Sequence, residues 1–301
     1  MKKVVDNVYI VKPYDPKSPD CCVYMVDTKS DDGLVLIDVG LNFEPIRGIE
    51  NEAFDLNNIK HCLITHGHID HFGACYKLKE INKDIKFYAH ELDVKDNELK
   101  ITAPDVAEIY ADFKYEAIKI DKKVKSDGET LKFGILEFKC IHIPGHTPGS
   151  VAYFLETGGK RILFAGDLPG IAINVQGGSL DDYLKSMQKL LGLNIDILLE
   201  GHEDIIQPAE KVVKFIEAYM VLNKNLNTLI LEDPLNSDAL LDLAIITYEL
   251  GFYENTVDFC NYALEIDPDN SEAQEFLSKA KKHNPPKLEW IKNFINQYRK
   301  S

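Results

Sequence analysis

The segment Thr65-His66-Gly67-His68-Ile69-Asp70-His71 constrains this chain more than any other, because it places three imidazoles and a carboxylate within six residues. In an extended segment, residues i and i+2 face the same side, so His66 and His68 can address one cation. A helix starting just afterwards puts Asp70 and His71 in its first turn, facing a second cation nearby. Burying four such groups is costly unless a cation compensates them. The plain alternative is a solvated, histidine-rich loop. Further histidines and an aspartate downstream, each at the end of an apolar run, argue against it.

The first of these follows residues 136–143, a strong strand pattern that leads into Pro144-Gly145-His146-Thr147-Pro148-Gly149-Ser150. Two prolines and two glycines around one histidine fix an unusual backbone path, suited to rigid presentation of a ligand. Residues 151–155 and 161–165 read as a hairpin through Gly158-Gly159, ending in Gly166-Asp167. There the carboxylate is placed either to bridge two cations or to cap the next turn. Residues 195–199 read as a last buried strand that delivers Gly201-His202, followed by Glu203 and Asp204 as supporting acids or a solvated turn. His142, one register before the His146 loop, reads as packing or as support for a ligand. His90, after a short strand at 86–89, reads as structural.

Other strands are expected at 4–12, 21–27, 34–39 and 59–65, with a hairpin signal at Asp31-Asp32-Gly33. Leu34-Val35-Leu36-Ile37 is continuously apolar, as in a strand buried on both faces. It ends at Asp38, either an acceptor for a ligand histidine or an ordinary strand-end turn residue. Residues 72–81 read as a helix. Residues 91–116, charged and interrupted by Pro104, read as an insertion over the site. Residues 168–179 are Gly-rich and apolar, a substrate-side loop, and Ser179 can cap a helix through 191.

From Pro208 onward only helices are expected, at 209–231, as a hairpin over 237–270, at 271–282, and in a final amphipathic segment carrying Leu288, Trp290, Ile291, Phe294 and Ile295. The change in character suggests two domains, 1–222 and 223–301. No Lys or Arg lies between Glu232 and Glu275, and the acidic face this leaves reads as solvated surface.

Charge and composition narrow the partners. A formal net charge of -15 disfavours nucleic acid and leaves a small molecule as the expected substrate. The six cysteines show no Cys-x-x-Cys spacing, and Cys62 and Cys140 sit in apolar runs, so a reducing compartment without a thiolate metal site is expected. Met1-Lys2-Lys3-Val4-Val5-Asp6 meets an acid before any apolar stretch can form, and no run reaches the roughly 18 apolar residues of a bilayer span. The expectation is a cytoplasmic protein without a membrane segment.

Taken in order, His66-x-His68-x-Asp70-His71, the His146 turn, Gly166-Asp167 and Gly201-His202 resemble the metallo-β-lactamase fold superfamily over about residues 1–220. The resemblance implies an α/β fold, the four-layer αββα sandwich, with a dinuclear metal site at one edge. It implies one metal on His66, His68 and His146, another on Asp70, His71 and His202, and Asp167 bridging. An imidazole and carboxylate set without thiolate suits Zn, and also Fe or Mn. Residues 237–270 resemble one tetratricopeptide repeat through Leu240, Leu243, Ala244, Gly251, Tyr253, Ala263 and Pro268, with Thr256 where a small Ala is usual. One repeat cannot bury its own faces, so it must dock on neighbouring helices or another chain, as a homodimer contact or a lid.

The resemblance implies hydrolysis by a metal-activated water, with Asp70 as a ligand that also orients the nucleophile or accepts its proton. No general acid stands among the motifs, which ranks thioesters and lactones, with their good leaving groups, above amides and phosphodiesters. The bridging Asp167 separates the chain from the superfamily's true β-lactamases, which generally lack it. His68 separates it from the diiron flavoprotein reductases, which carry Glu there. The ligand set is similar to that of glyoxalase II, whose basic C-terminal glutathione-binding segment has no counterpart in 232–275. Nor is there a basic arm such as ribonuclease Z uses for tRNA. The alternatives are a mononuclear-iron persulfide dioxygenase using ligands of the His66, His146 and Asp167 type, a phosphodiesterase or nuclease, and a scaffold acting through the helical module.

Overall fold

Residues 34–37 lie between two apolar layers and set the architecture. Leu34 and Leu36 face one buried cluster, Val35 and Ile37 the other, as the period-two geometry of a strand buried on both sides requires. A computed structural model describes residues 1–100, 114–168, 178–287 and 291–299. The strands in chain order are β1 (Lys2–Val5), β2 (Val8–Lys12), β3 (Val23–Asp27), β4 (Leu34–Ile37), β5 (Ile59–Leu63), β6 (Lys86–His90), β7 (Glu98–Leu99), β8 (Ile118–Lys119) and β9 (Lys122–Val124). They are followed by β10 (Thr130–Phe133), β11 (Leu136–His142), β12 (Val151–Thr157), β13 (Lys160–Gly166) and β14 (Ile197–Glu200).

One sheet has the order β1-β2-β3-β4-β5-β6-β9, the second β10-β11-β12-β13-β14, and β7 pairs with β8 alone. Antiparallel pairing gives way to parallel pairing at β4–β5 in the first sheet and at β13–β14 in the second. Parallel neighbours need a crossover. The crossovers of the first sheet carry the short helices Glu44–Arg47, Ile69–Phe72 and Cys75–Ile81. Ile46, Phe72, Cys75 and Leu78 of these helices pack with Met25, Leu36 and Cys62 on its outer face. Tyr24, Val35, Ile37 and Leu63 meet Phe138, Tyr153, Leu155 and Phe164 of the second sheet to form the core between the sheets. This is the expected αββα sandwich.

Several expected elements are divided. The strand at 4–12 is a hairpin, with Val5 opposite Val8. A turn of two residues, Asp6 and Asn7, leaves the in/out alternation in phase, so the sequence reads as one strand. The helix at 72–81 breaks after Phe72 because the Ala74 amide donates to the Gly40 carbonyl at 2.8 Å instead of continuing the turn. The strand at 21–27 starts at Val23, because the Cys22 amide donates to the Gly201 carbonyl at 2.6 Å. Half of the expected insertion at 91–116, including Pro104, and most of the Gly-rich loop at 168–179 lie outside the described residues. The described part of the insertion carries a 3-10 turn at Glu91–Asp93 and strand β7, and β8 follows it.

The chain divides into two compact units, one reaching Val212 and the next beginning at Val213. In the second unit, helices Ser237–Leu250 and Tyr253–Ile266 form a hairpin about Gly251, whose φ of +85° is the left-handed conformation glycine supplies at a helix end. Asn236 and Asn270 cap helices Ser237–Leu250 and Ser271–Lys281 by accepting from the Ala239 and Ala273 amides, each at 2.9 Å. Thr256 is fully buried, and its hydroxyl lies 3.1 Å from that of Thr247, which is why a polar residue is tolerated between these helices. Leu288 and Trp290 lie outside the described residues; Ile291 and Ile295 of the last helix are buried. No described helix is long and apolar enough to cross a membrane.

Candidate metal centre

Strand ends converge at one edge of the sandwich, and each delivers a polar side chain. β4 ends before Asp38, whose φ of +56° turns its carboxylate back toward the chain leaving β5. Asp38 Oδ1 accepts from the Thr65 amide at 2.8 Å, and Oδ2 accepts from the Thr65 hydroxyl and from His71 Nδ1, each at 2.8 Å. A carboxylate at Nδ1 fixes a proton there, so Nε2 is the atom that can turn to a cation once its own proton has left. Asp38 is therefore the acceptor for a candidate ligand, not merely a turn residue.

His68 precedes helix Ile69–Phe72, which carries Asp70 and His71 in its first turn, as the sequence suggested. His146 follows Gly145, whose φ is +142° and whose added Cβ would stand 2.4 Å from Tyr183 Cα. Gly166 and Gly201 make room for Asp167 and its neighbours. A Cβ on Gly166 would meet Thr65 Oγ1 at 2.6 Å, and one on Gly201 would meet Asp167 Oδ1 at 2.4 Å.

The structure brings all seven expected residues together in two groups that share Asp167. His66, His68, His146 and Asp167 form the first; Asp70, His71, His202 and Asp167 form the second, and within each group the potential ligand atoms lie within 4.8 Å of one another. In the first group His146 Nε2 is 2.9 Å from His68 Nδ1, and Asp167 Oδ2 is 3.5 Å from His146 Nε2 and 3.8 Å from His66 Nε2. In the second, Asp167 Oδ1 is 3.0 Å from His71 Nε2 and 3.5 Å from His202 Nε2, while Asp70 Oδ2 is 3.1 Å from His202 Nε2 and 3.6 Å from His71 Nε2. Tetrahedral zinc with N and O ligands sets ligand atoms about 3.3 Å apart. Among the described residues, the buried atoms His66 Nε2, His71 Nε2, His146 Nδ1, Asp167 Oδ1 and His90 Nε2 have no hydrogen-bond partner, and all but the last belong to the two groups. Such orphaned atoms call for a missing partner, and the donor set fits two divalent cations.

The two groups differ in charge state. Burial drives His66 and His68 down, and His146 to about 3, so the first group offers neutral imidazoles. Burial also opposes charge on His71 and His202, but Asp167 and the other nearby carboxylates outweigh it. His71 is raised well above the ordinary range and His202 to about 9. Against the opposing effect of burial, the cationic histidines hold Asp70 and Asp167 low. Exposure of the side chains rises from 0% for His71 and 1% for His66 to 12% for Asp167, 15% for His146 and 29% for His202. Of these side chains His202 is the most exposed.

Other candidates fall into supporting places. His90 and His142 stand outside both groups and stack at 4.0 Å between ring centroids and 7° between planes. His142 Nε2 donates to the Pro148 carbonyl at 2.9 Å, backing the His146 loop. Cys21, Asp38 and His71 form a third grouping. Its Asp38 and His71 atoms are already paired, and burial pushes the Cys21 thiol up, so Cys21 packs under the centre. Glu203 and Asp204 lie outside both groups.

Sequence reasoning missed Glu200 and Asp93. Glu200 is fully buried; its two oxygens accept from the Leu168 amide at 3.0 Å and the His202 amide at 2.5 Å, tying together the loops that carry Asp167 and His202. An acid closing the apolar run 195–199 was its only signal. Asp93 lies within the stretch read as an insertion, where charge carried no information.

With this geometry in place, a family model for the metallo-beta-lactamase superfamily matches residues 20–202. The chain belongs to the metallo-β-lactamase superfamily. The hydroxyacylglutathione hydrolase GloC of Haemophilus influenzae is 33% identical over 157 residues, which is 50% of this chain and 71% of that protein. The probable metallo-hydrolase YflN of Bacillus subtilis is 31% identical over 219 residues, 60% of this chain and 79% of that protein. Among solved structures, the class B3 di-zinc metallo-β-lactamase LRA-12 from an Alaskan soil metagenome superposes with a TM-score of 0.54 at 26% identity, covering 67% of this chain and 77% of its own. The B3 enzyme BLEG-1 superposes with a TM-score of 0.55 at 24% identity, over 68% and 95%. This member of the superfamily carries its candidate centre where β4, β5, β11, β13 and β14 end.

Proposed function

We propose that the chain is a dinuclear metal-dependent hydrolase acting on a small thioester, lactone or related ester. The observation that carries the reading is the orientation of Asp167, whose Oδ2 faces His66 and His146 while Oδ1 faces His71 and His202. One carboxylate presenting one oxygen to each group is what a bridging ligand does.

In this reading His66, His68 and His146 hold one cation, Asp70, His71 and His202 the other, and Asp167 both. Zinc fits the donors best, with Fe or Mn as alternatives. When bound, the cations supply a water activated near neutral pH and Lewis-acid stabilisation of the carbonyl oxygen. The protein does the rest. Asp38 holds the His71 ring through Nδ1, Glu200 fixes the backbone at His202, and Asp70, a ligand, would orient the nucleophile or accept its proton. Substrate enters on the His202 side, where the side chains are most exposed.

A leaving thiolate with a pKa of about 8.5 needs little protonation, which suits a site whose motifs include no general acid. Similarity to a hydroxyacylglutathione hydrolase supports a thioester. A thioester and lactone panel tests the reading: Asp167→Ala and His68→Ala proteins should lose hydrolysis, and retention of wild-type rates would remove it.

For 223–301 we propose a helical, tetratricopeptide-like module that mediates a homodimer contact, with 1–222 as the catalytic domain. Light scattering on the full chain should read twice the chain mass; a monomer at all concentrations contradicts the dimer role.

A further inference from the structure

The two loops that present the first ligand group are joined by a carboxylate in neither of them. Asp93 follows β6 through the turn Glu91–Asp93. Its Oδ2 accepts from the Gly67 amide at 2.8 Å and from the Thr147 hydroxyl at 2.7 Å, while Oδ1 accepts from the Gly149 amide at 2.7 Å. Gly67 lies between His66 and His68, and Thr147 follows His146. One side chain therefore ties the backbone between His66 and His68 to the Thr147 hydroxyl and the Gly149 amide of the loop that carries His146.

Close packing enforces the arrangement. A Cβ on Gly149 would come within 2.5 Å of Asp93 Cγ, and one on Gly67 within 3.2 Å of Asp93 Cβ. Thr147 is held in turn by Ser150, whose hydroxyl lies 2.9 Å away and accepts from the Thr147 amide at 3.1 Å. Hydrogen bonds to an ionised carboxylate are shorter and stronger than neutral ones. A carboxylate supplies acceptors at both oxygens; an amide of the same size would set a donor against either the Gly149 amide or the Gly67 and Thr147 donors.

We propose that Asp93 is the positioning residue of the first group: it sets the separation of His66, His68 and His146 without touching the metal. The second group is held mainly by Asp38 and Glu200, and Asp38 reaches the first group only at His66, through the Thr65 hydroxyl. This inference rests on the metal-centre reading above, and the experiment separates the two.

The test is Co2+ titration of metal-stripped full-length protein, followed by the visible absorption of the bound ion and by equilibrium dialysis. In a His202→Ala background, which disables the second group, Asp93→Asn should weaken Co2+ binding about 10–100-fold, the range for losing an outer-shell partner of a ligand. In a His146→Ala background it should leave binding unchanged. Thr147→Val, which removes one of the three hydrogen bonds, should show a smaller loss confined to the same background. Asp93→Asn keeps the side-chain volume, so the test stands even where Asp93→Ala does not fold. Unchanged binding in the His202→Ala background overturns the clamp alone, as does equal loss in both backgrounds. A wild-type chain that binds no Co2+ overturns the metal centre, and the clamp with it.

Discussion

The two ligand groups share Asp167 and are otherwise built differently. The first consists of three imidazoles kept neutral by burial and presented by glycine-rich loops. The second pairs histidines with aspartates so closely that, without a cation, the histidines hold protons and the carboxylates hold charge. The first group is ready for a cation; the second is an ion-pair network that a cation must displace. A metal bound by neutral histidine releases no proton, whereas one that replaces protonated histidine does. The groups should therefore respond differently to mutation and to pH.

The largest effect is expected where the groups meet. Asp167→Ala removes the shared ligand and should cost more than the 10–100-fold loss typical of outer-shell partners, in metal affinity and in hydrolysis alike. Dialysis with elemental analysis would show it, and loss confined to one group would break the shared-ligand picture. Asp38→Ala removes the acceptor at His71 Nδ1 and should weaken the second group about 10–100-fold. Equal weakening of the first group would erase the distinction between them.

Acidity sharpens the comparison next. At pH 7, a cation entering the second group should release about two protons more, from His71 and His202, than one entering the first group. Calorimetry in buffers of different ionisation enthalpy measures this. The same charges govern the metal-free fold. His202 is raised from 6.5 to about 9, and His71 is raised too. Their contribution to stability is full below pH 6.5 and is lost as pH climbs through about 9. Asp70 and Asp167 are lowered, so their contribution is present above 3.8 and lost as pH falls through their folded values. The melting temperature of chelator-treated protein should fall between pH 6.5 and 9, and that of metal-loaded protein should not. A flat profile without metal would contradict the ion-pair description.

The smallest effect lies further out. Ser179 caps helix Leu180–Leu191 by accepting from the Asp182 amide at 3.2 Å, and Tyr183 of that helix backs Gly145 beside His146. Ser179→Ala should cost about 1 kcal/mol by chemical denaturation and leave metal stoichiometry unchanged.

The sandwich was legible in the sequence because its strands are buried on one or both faces and read as period-two or continuous apolar runs. What the pattern could not show were interruptions that preserve it, such as the turn at Asp6-Asn7 and the break after Phe72. The candidate ligands were legible because histidines and aspartates at strand ends are chemically conspicuous. The supporting shell was legible only in part. Asp38 ended an apolar run and drew notice. Glu200 ended another and did not, and Asp93 sat among charges that meant nothing until the fold brought it beneath Gly67 and Gly149. Supporting residues act through backbone amides distant in sequence, and spacing does not record such partners.

The central claim is that these seven side chains hold two cations through a shared carboxylate. Zinc stoichiometry of the full-length protein after equilibrium dialysis, read by plasma mass spectrometry, tests it most directly. Two ions per chain in the wild type, with impaired binding in Asp167→Ala, is the result expected. One ion or none in the wild type under saturating zinc would contradict it.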